Sequence, residues 1–451
     1  MVEITPFVDE GLGNSSYVVD LGDGRALVVD PVRDVVPYLR FAEQQRLTIT
    51  YSLETHLHAD FVSGSLELAR LGATILAPRG GLAEFPHRPL DDEEEHDLGG
   101  LVLRGIGTPG HTPEHLSYLF LDGRNPAALF SGGALIVGSV ARTDLISPEQ
   151  TEPLARALFR ALRDRILSLP DEVAVYPTHG AGSFCSAAGT GERTTTIGRE
   201  RASNRLLNAP DEDAFLRLLT AGLGSYPDYF LRMREVNRRG PAVYGTDLPS
   251  LVQLTPAQLQ AAVHAGTELI DVRPISHFAA GHIPGALSIA LRPAFAAWLG
   301  WLVDTDRPLA FVADVDQDRT DLVRQCLKIG YEHIAGELAG GMEAWRAAGL
   351  PEQRTELRTD APEPESRILD VRQTSEYVAG HLPAATHIEL GSLAEQAATL
   401  TSANPLVMCG HGERAMTGAS LLERNGSRPT VFLGGPAEMA RERGEQLVGG
   451  T

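Results

Sequence analysis

Two short apolar runs flank Gly22-Asp23-Gly24 in "SSYVVDLGDGRALVVDP", residues 15 to 31, and this pattern predicts a β-hairpin. "TITYSLET" predicts a strand that ends at a histidine-rich stretch. "FVSGSLELARLG" predicts a helix and "ATILAP" a further strand. In "TEPLARALFRALRDRILSLP" the apolar residues recur at three- and four-residue spacing, the mark of an amphipathic helix. These elements suit a four-layer αββα domain that ends near "YGTDLPS", before residue 250.

The second half repeats itself. "LIDVRPISHFAAGHIPGA" at 269 to 286 returns as "ILDVRQTSEYVAGHLPAA" at 368 to 385. Asp271, Arg273, Gly281, His282 and Pro284 match Asp370, Arg372, Gly380, His381 and Pro383. Each copy continues with a helix, a second apolar strand ("PLAFVAD" or "PLVMCG"), a tight loop and another helix. Alternating strand and helix predict a small parallel α/β sheet, used twice. The polar, proline-containing "TELRTDAPEPES" at 355 to 366 reads as the linker between copies.

A chain of 451 residues predicts two to four domains at roughly 100–200 residues each. With 43% apolar and 22% charged residues it is ordinary globular material. The formal charge of −20 opposes nucleic acid and anionic membrane as partners. The start, "MVEITPFVDEG", has no basic n-region, and no stretch approaches the roughly 18 apolar residues of a membrane span. A cytoplasmic protein is expected. Its three cysteines, Cys185, Cys326 and Cys409, are far apart, which speaks against a disulfide framework. Cys326 falls in a helical pattern and reads as core.

Candidate chemistry concentrates in two places. In "THLHADFVSGS" His56 and His58 stand two apart at a strand end, so both side chains can leave on one side. Asp60 follows, and Phe61 stands where a further ligand would be expected. "TPGHTPEH" adds His111 in a Gly/Pro turn, and "VYPTHGAG" adds His179 after an apolar strand. Four histidines at strand ends can aim their imidazoles at one point. The second place is "VMCGHGERAMTGASLLE", where Cys409 ends an apolar strand, Gly410 and Gly412 lie in the loop, and Arg414 closes it. Backbone N–H groups and a helix N-terminus favour an anion there. Four residues separate Cys409 from Arg414, one fewer than a loop built for a tetrahedral oxyanion, and the shorter loop suits a sulfane sulfur.

These motifs carry a resemblance. Residues 1–248 resemble the metallo-β-lactamase superfamily, and within it the glyoxalase II and persulfide dioxygenase branch. The matching blocks are His56-x-His58-x-Asp60, "TPGHT", "FSGGAL" and "YPTHG". "RTDL" and "YPDYFLRMREVNRRGP" resemble the persulfide dioxygenases in particular. Residues 249–354 and 362–451 resemble rhodaneses, the first without a nucleophile, because its repeat aligns Asp314 with Cys409 and Arg319 with Arg414.

The resemblance implies an α/β protein: an αββα metallo-β-lactamase fold followed by two small parallel α/β rhodanese domains. It implies oxidation of a low-molecular-weight thiol persulfide, such as glutathione persulfide, to sulfite. It also implies sulfur transfer among persulfide, thiosulfate and sulfite, with Cys409 and Arg414 catalytic. Arg142, Gly410 and Gly412 are then substrate-binding. The family's bridging Asp is Gly133 here and its second-site His is Phe61. One non-heme metal is therefore expected on His56, His58 and His111, Fe(II) favoured and Zn(II) the alternative, with Asp60 and His179 as hydrogen-bond partners behind it. Restoring Gly133→Asp is expected to tighten that site. A homo-oligomer is expected. A two-metal thioester hydrolase of the glyoxalase II type, or a metal-free binding domain with only the rhodanese end active, are the alternatives.

Overall fold

A computed structural model describes residues 2–186, 191–245, 247–361, 367–400 and 404–449. The chain divides into two compact units, residues 1–248 with 324–330, and residues 249–323 with 331–451.

The first unit is built on two six-stranded sheets. One runs Glu3–Asp9, Asn14–Asp20, Arg25–Val29, Thr48–Leu53, Thr74–Pro78, Arg88–Leu90 in chain order. The other runs Thr195–Thr196, Ala174–Pro177, Asn125–Gly132, Leu116–Asp122, Leu101–Gly107, Glu95–Asp97. The predicted hairpin pairs Tyr17 with Val29 and Asp20 with Ala26. Its alternation decides the layers. Tyr17, Val19, Leu27 and Val29 point inward to meet Tyr118, Phe120 and Phe130 of the other sheet. Val18, Ala26 and Val28 point outward to Tyr38 and Leu68 on the helices Val36–Gln45 and Ser65–Arg70. On the far face Leu119, Leu121 and Leu129 meet Leu158 and Phe159 of the helix Pro148–Ala161. This is the expected αββα order. Each fully buried aromatic ring contributes about 1.5–3 kcal/mol to it.

Two elements differ from the sequence expectation. The helix expected from Phe61 begins only at Ser65, because Phe61 to Gly64 belong to the site loop. The Pro148–Ala161 helix passes into a π-helical turn at Leu162–Ile166.

The second unit holds two five-stranded parallel sheets of the same order. The first is Gln253–Leu254, Ile334–Leu338, Leu309–Val312, Glu268–Asp271, Leu287–Ser288. The second is Glu356–Arg358, Thr430–Phe432, Leu406–Met408, Ile368–Asp370, Thr386–His387. In each, the repeated Asp clasps the Arg two residues on, Asp271 with Arg273 and Asp370 with Arg372. Glu356–Arg358, expected in the linker, is instead the edge strand of the second sheet, because it pairs with Thr430–Phe432. The linker's residues 362–366 lie outside the described residues.

The sheet register also corrects the alignment of the copies. Asp271 pairs with Val312 and Asp370 with Met408, so Ala313, not Asp314, holds the place of Cys409. Five residues then separate Ala313 from Arg319, against four between Cys409 and Arg414. Among the described residues no helix is long and apolar enough to cross a membrane.

Candidate functional site

The site residues are delivered by chain segments that leave strands of both sheets. Asp30 follows Arg25–Val29, His56 and His58 follow Thr48–Leu53, and His179 follows Ala174–Pro177. Tyr17 Oη donates to Pro177 O at 2.6 Å and Ser15 N to Thr178 O at 2.7 Å, which ties the His179 segment to the first sheet. His56, His58, His111, His115 and His179 are each at most 1% exposed.

His56, His111 and His179 share one pattern. The Nδ1–H of His56 donates to Thr55 Oγ1 at 2.8 Å, and that hydroxyl donates to Asp30 at 2.7 Å. The Nδ1–H of His111 donates to Arg142 O at 2.7 Å, and that of His179 to Asn14 Oδ1 at 3.0 Å. Each ring therefore turns its Nε2 lone pair inward, and the three ligand atoms lie within 4.8 Å of one another. His56 Nε2 and His179 Nε2 are 3.3 Å apart. At that distance the two nitrogens share either a proton or a metal cation. Burial, with neighbouring histidines adding to it, holds the pKa of His56 well below its ordinary value and that of His111 at about 3. Both rings are neutral and ready to ligate.

His58 behaves otherwise. Its Nε2 faces Glu54 Oε2 at 3.0 Å and Asp30 Oδ1 at 3.3 Å. Burial alone would deprotonate it, but the two carboxylates outweigh burial and raise its pKa to about 10. The two carboxylates thus hold the Nε2–H, and only Nδ1 of His58 is left to face a metal. The expected trio His56, His58 and His111 is thus not the one whose atoms converge. His179, expected behind the metal, joins His56 and His111, while His58 groups with Asp60 and His179, or with Asp30 and His56. Among the described residues, His58 Nδ1, Asp60 Oδ1 and His111 Nε2 are buried without a hydrogen-bond partner. Such orphaned atoms fit a cation.

Asp60 is held from the side by Asn14 Nδ2 at 2.7 Å. Burial would raise its pKa, but His179 and His58 outweigh burial and lower it. Phe61 is fully buried and lies flat on His58, with ring centroids 4.2 Å apart. Gly133 leaves no room for the missing carboxylate. A β-carbon there would fall 2.7 Å from His111 Cδ2 and 3.0 Å from Ala141 Cβ, so sterics oppose the gain expected from Gly133→Asp.

Arg142 serves the site through its backbone. Four of its five N–H groups go to Asp144, Phe184 O and Gly224 O, and its guanidinium stacks on Tyr226 at 4.3 Å. Its carbonyl orients His111. Cys185 is buried near Asp60, and burial followed by that carboxylate raises its thiol pKa well above the ordinary value. It is not a ready nucleophile.

In the second unit Cys409 ends Leu406–Met408 and is 1% exposed. The N–H of Gly412 donates to Cys409 Sγ at 3.1 Å, and Gly412 has a φ of 104°, which favours glycine. A β-carbon at Gly410 would find nothing nearer than Arg414 Nη2 at 3.9 Å. Arg414 closes the loop as half of a bidentate pair with Glu376, at 2.6 and 2.8 Å. Burial works against the charge on Glu376, yet Arg414 keeps its pKa below the ordinary carboxylate value. In the first copy the equivalent position is His277, 2.6 Å from Asp314. There Gln317 donates to Val272 O, accepts from Asp314 N, and folds into the loop that in the second copy surrounds Cys409 Sγ.

Asp30, Glu54, Asn14 and Glu376 were not singled out from the sequence. Asp30 was the most legible, as an acid directly after the apolar run "ALVV".

Fold and sites together define a two-sheet sandwich domain with a converging histidine cluster, joined to a tandem of small parallel α/β domains, the second of which carries the Cys409 loop. Residues 9–179 match the metallo-beta-lactamase superfamily, and residues 255–348 and 353–441 match the rhodanese-like domain. The chain is thus a metallo-β-lactamase domain followed by two rhodanese domains. It is similar to the mitochondrial persulfide dioxygenase ETHE1 of Homo sapiens, at 27% identity over 173 residues, 38% of this chain and 64% of that protein. It is also similar to the hydroxyacylglutathione hydrolase of Methylococcus capsulatus, at 34% identity over 161 residues, 35% of this chain and 58% of that protein. The chain thus spans less than two thirds of the length of these relatives. A solved metallo-beta-lactamase from Staphylococcus aureus subsp. aureus COL matches at a TM-score of 0.65 and 29% identity, covering 75% of this chain and 99% of that one.

Proposed function

We propose that the chain performs two linked sulfur reactions. The N-terminal domain oxidises a low-molecular-weight thiol persulfide, glutathione persulfide or a close analogue, with dioxygen and water to thiol, sulfite and two protons. The observation that carries this reading is the convergence of three Nε2 atoms, from His56, His111 and His179, each with its Nδ1 tied to a fixed partner. Those three residues would hold one metal ion, Fe(II) favoured and Zn(II) the alternative. When bound, it supplies a positive centre for the persulfide sulfur and, as Fe(II), the electrons that activate dioxygen. The protein's own contribution is positional. Thr55, Arg142 and Asn14 fix the three rings, buried Phe61 keeps water from the His58 side, and Asp60 stays anionic beside His179.

At the other end the Cys409 thiolate attacks the outer sulfur of thiosulfate. The S–S bond of thiosulfate breaks, sulfite leaves with the electron pair, and Cys409 keeps a persulfide. The Gly412 amide steadies the sulfur, and a thiolate or sulfite acceptor then removes it. Both reactions belong to sulfur metabolism, and sulfite made by the first is an acceptor for the second.

The similarity to hydroxyacylglutathione hydrolases favours a second reading, thioester hydrolysis, which needs two metals. The test is oxygen uptake and metal content of protein purified without oxygen. Uptake dependent on glutathione persulfide, with about one metal per chain, is the expected result. Two metals with thioester hydrolysis and no oxygen uptake would replace this reading with the hydrolase.

A further inference from the structure

The helix that carries the sulfur loop, Glu413–Glu423, has eight of its eleven residues buried, and part of that burial is against the first rhodanese copy. At its C-terminal end four contacts cross between copies. Ser288 N donates to Ser420 Oγ at 3.1 Å. His282 Nε2 lies 3.2 Å from Glu423 Oε2, with both side chains at most 5% exposed. Just past the helix, Arg424 reaches Gly285 O at 2.9 Å and forms an ion pair with Glu268.

At the N-terminal end the first copy comes up to the loop itself. A β-carbon at Gly412 would fall 3.2 Å from Ile275 Cδ1 of the first copy and 2.8 Å from Leu433 Cδ2 of the second. Gly412 is the residue whose amide donates to the Cys409 sulfur. A helix anchored at one end, with a side chain pressed on the loop at the other, has little freedom to shift along its axis.

We infer that the first rhodanese copy, which lacks a nucleophile, holds the sulfur loop of the second in register, with Ile275 and Glu268 as positioning residues. Ile275 backs Gly412, so its N–H stays aimed at Sγ. Glu268, through Arg424, stops the helix from sliding. The first copy thereby has a use in sulfur transfer without touching sulfur. This rests on Cys409 being the sulfur carrier, but the amide it concerns can be read without any activity.

The experiment uses the full-length chain with Ile275→Ala, Ile275→Val and Glu268→Gln, and with Arg104→Gln as control, whose exposed pair with Glu95 lies in the N-terminal domain. Hydrogen exchange of the peptide spanning residues 410–414 is read beside thiosulfate sulfurtransferase kinetics. Ile275→Ala and Glu268→Gln should speed that exchange about tenfold and lower kcat about as much, with the thiosulfate KM within about twofold of wild type. Ile275→Val should recover most of the loss, and Arg104→Gln should change nothing. Unchanged exchange at residues 410–414 in both Ile275→Ala and Glu268→Gln would overturn the inference, whatever the kinetics. A wild-type protein without sulfurtransferase activity would instead overturn the function proposed for Cys409, and the exchange result would still decide whether the first copy holds the loop.

Discussion

The histidine cluster and the sulfur loop are assembled from different materials. In the N-terminal domain every group that converges is a side chain, sent inward from a strand end, and each imidazole is at most 1% exposed. In the last domain the group that meets Cys409 Sγ is a backbone amide, Gly412 N, and the charged neighbour, Arg414, is already paired with Glu376. A site made of side chains can be altered one residue at a time. Phe61 and Gly133 show this, since two family ligands are gone and the remaining imidazoles still converge. A site made of backbone depends on the conformation of a whole loop. In the first copy one extra loop residue, with Gln317 folded into it, closes the place where sulfur would sit.

If the two sites are independent, variants should separate them cleanly. The largest effect is expected for Cys409→Ser, which should remove thiosulfate sulfurtransferase activity to below detection, because a serine hydroxyl is neither thiolate-like nor able to carry a persulfide. Metal content should be untouched, and a sulfur adduct of about 32 Da should map to Cys409 alone in the wild type. An adduct on Cys185 or Cys326 instead would break the comparison.

His111→Ala should weaken metal binding by more than the roughly 10–100-fold typical of losing an outer partner, while sulfurtransferase activity is retained. Titration of the metal-free protein reads both sides at once. Gly133→Asp is expected to destabilise the N-terminal domain by about 1–3 kcal/mol and to loosen the metal, because its β-carbon would meet His111 at 2.7 Å. Tighter binding in that variant would show that His111 can step aside. The smallest effect is expected for Asn14→Ala, which frees His179 Nδ1 and Asp60 together and should cost about tenfold in metal affinity.

Much of this was legible in the sequence. Strand ends were marked by apolar runs that stop at Thr55 and Met408, and the repeat located both rhodanese sheets. What remained hidden depends on direction. The two-residue spacing of His56 and His58 places both rings on one side, but only the positions of Glu54 and Asp30 show that His58 turns its Nε2 outward into carboxylates. The motif likewise could not show that Asn14, over 160 residues away, turns His179 toward His56. Nor could the repeat place Ala313 opposite Cys409, since the copies differ by one loop residue and only hydrogen-bond register distinguishes the two alignments.

The central claim is that His179 completes the metal site with His56 and His111. Metal content of His179→Ala, purified without oxygen beside the wild type, tests it most directly, with retained sulfurtransferase activity as proof that the chain has folded. About one metal per wild-type chain and close to none in the variant is the expected result. A His179→Ala protein that keeps its full metal would contradict it and return the site to His56, His58 and His111.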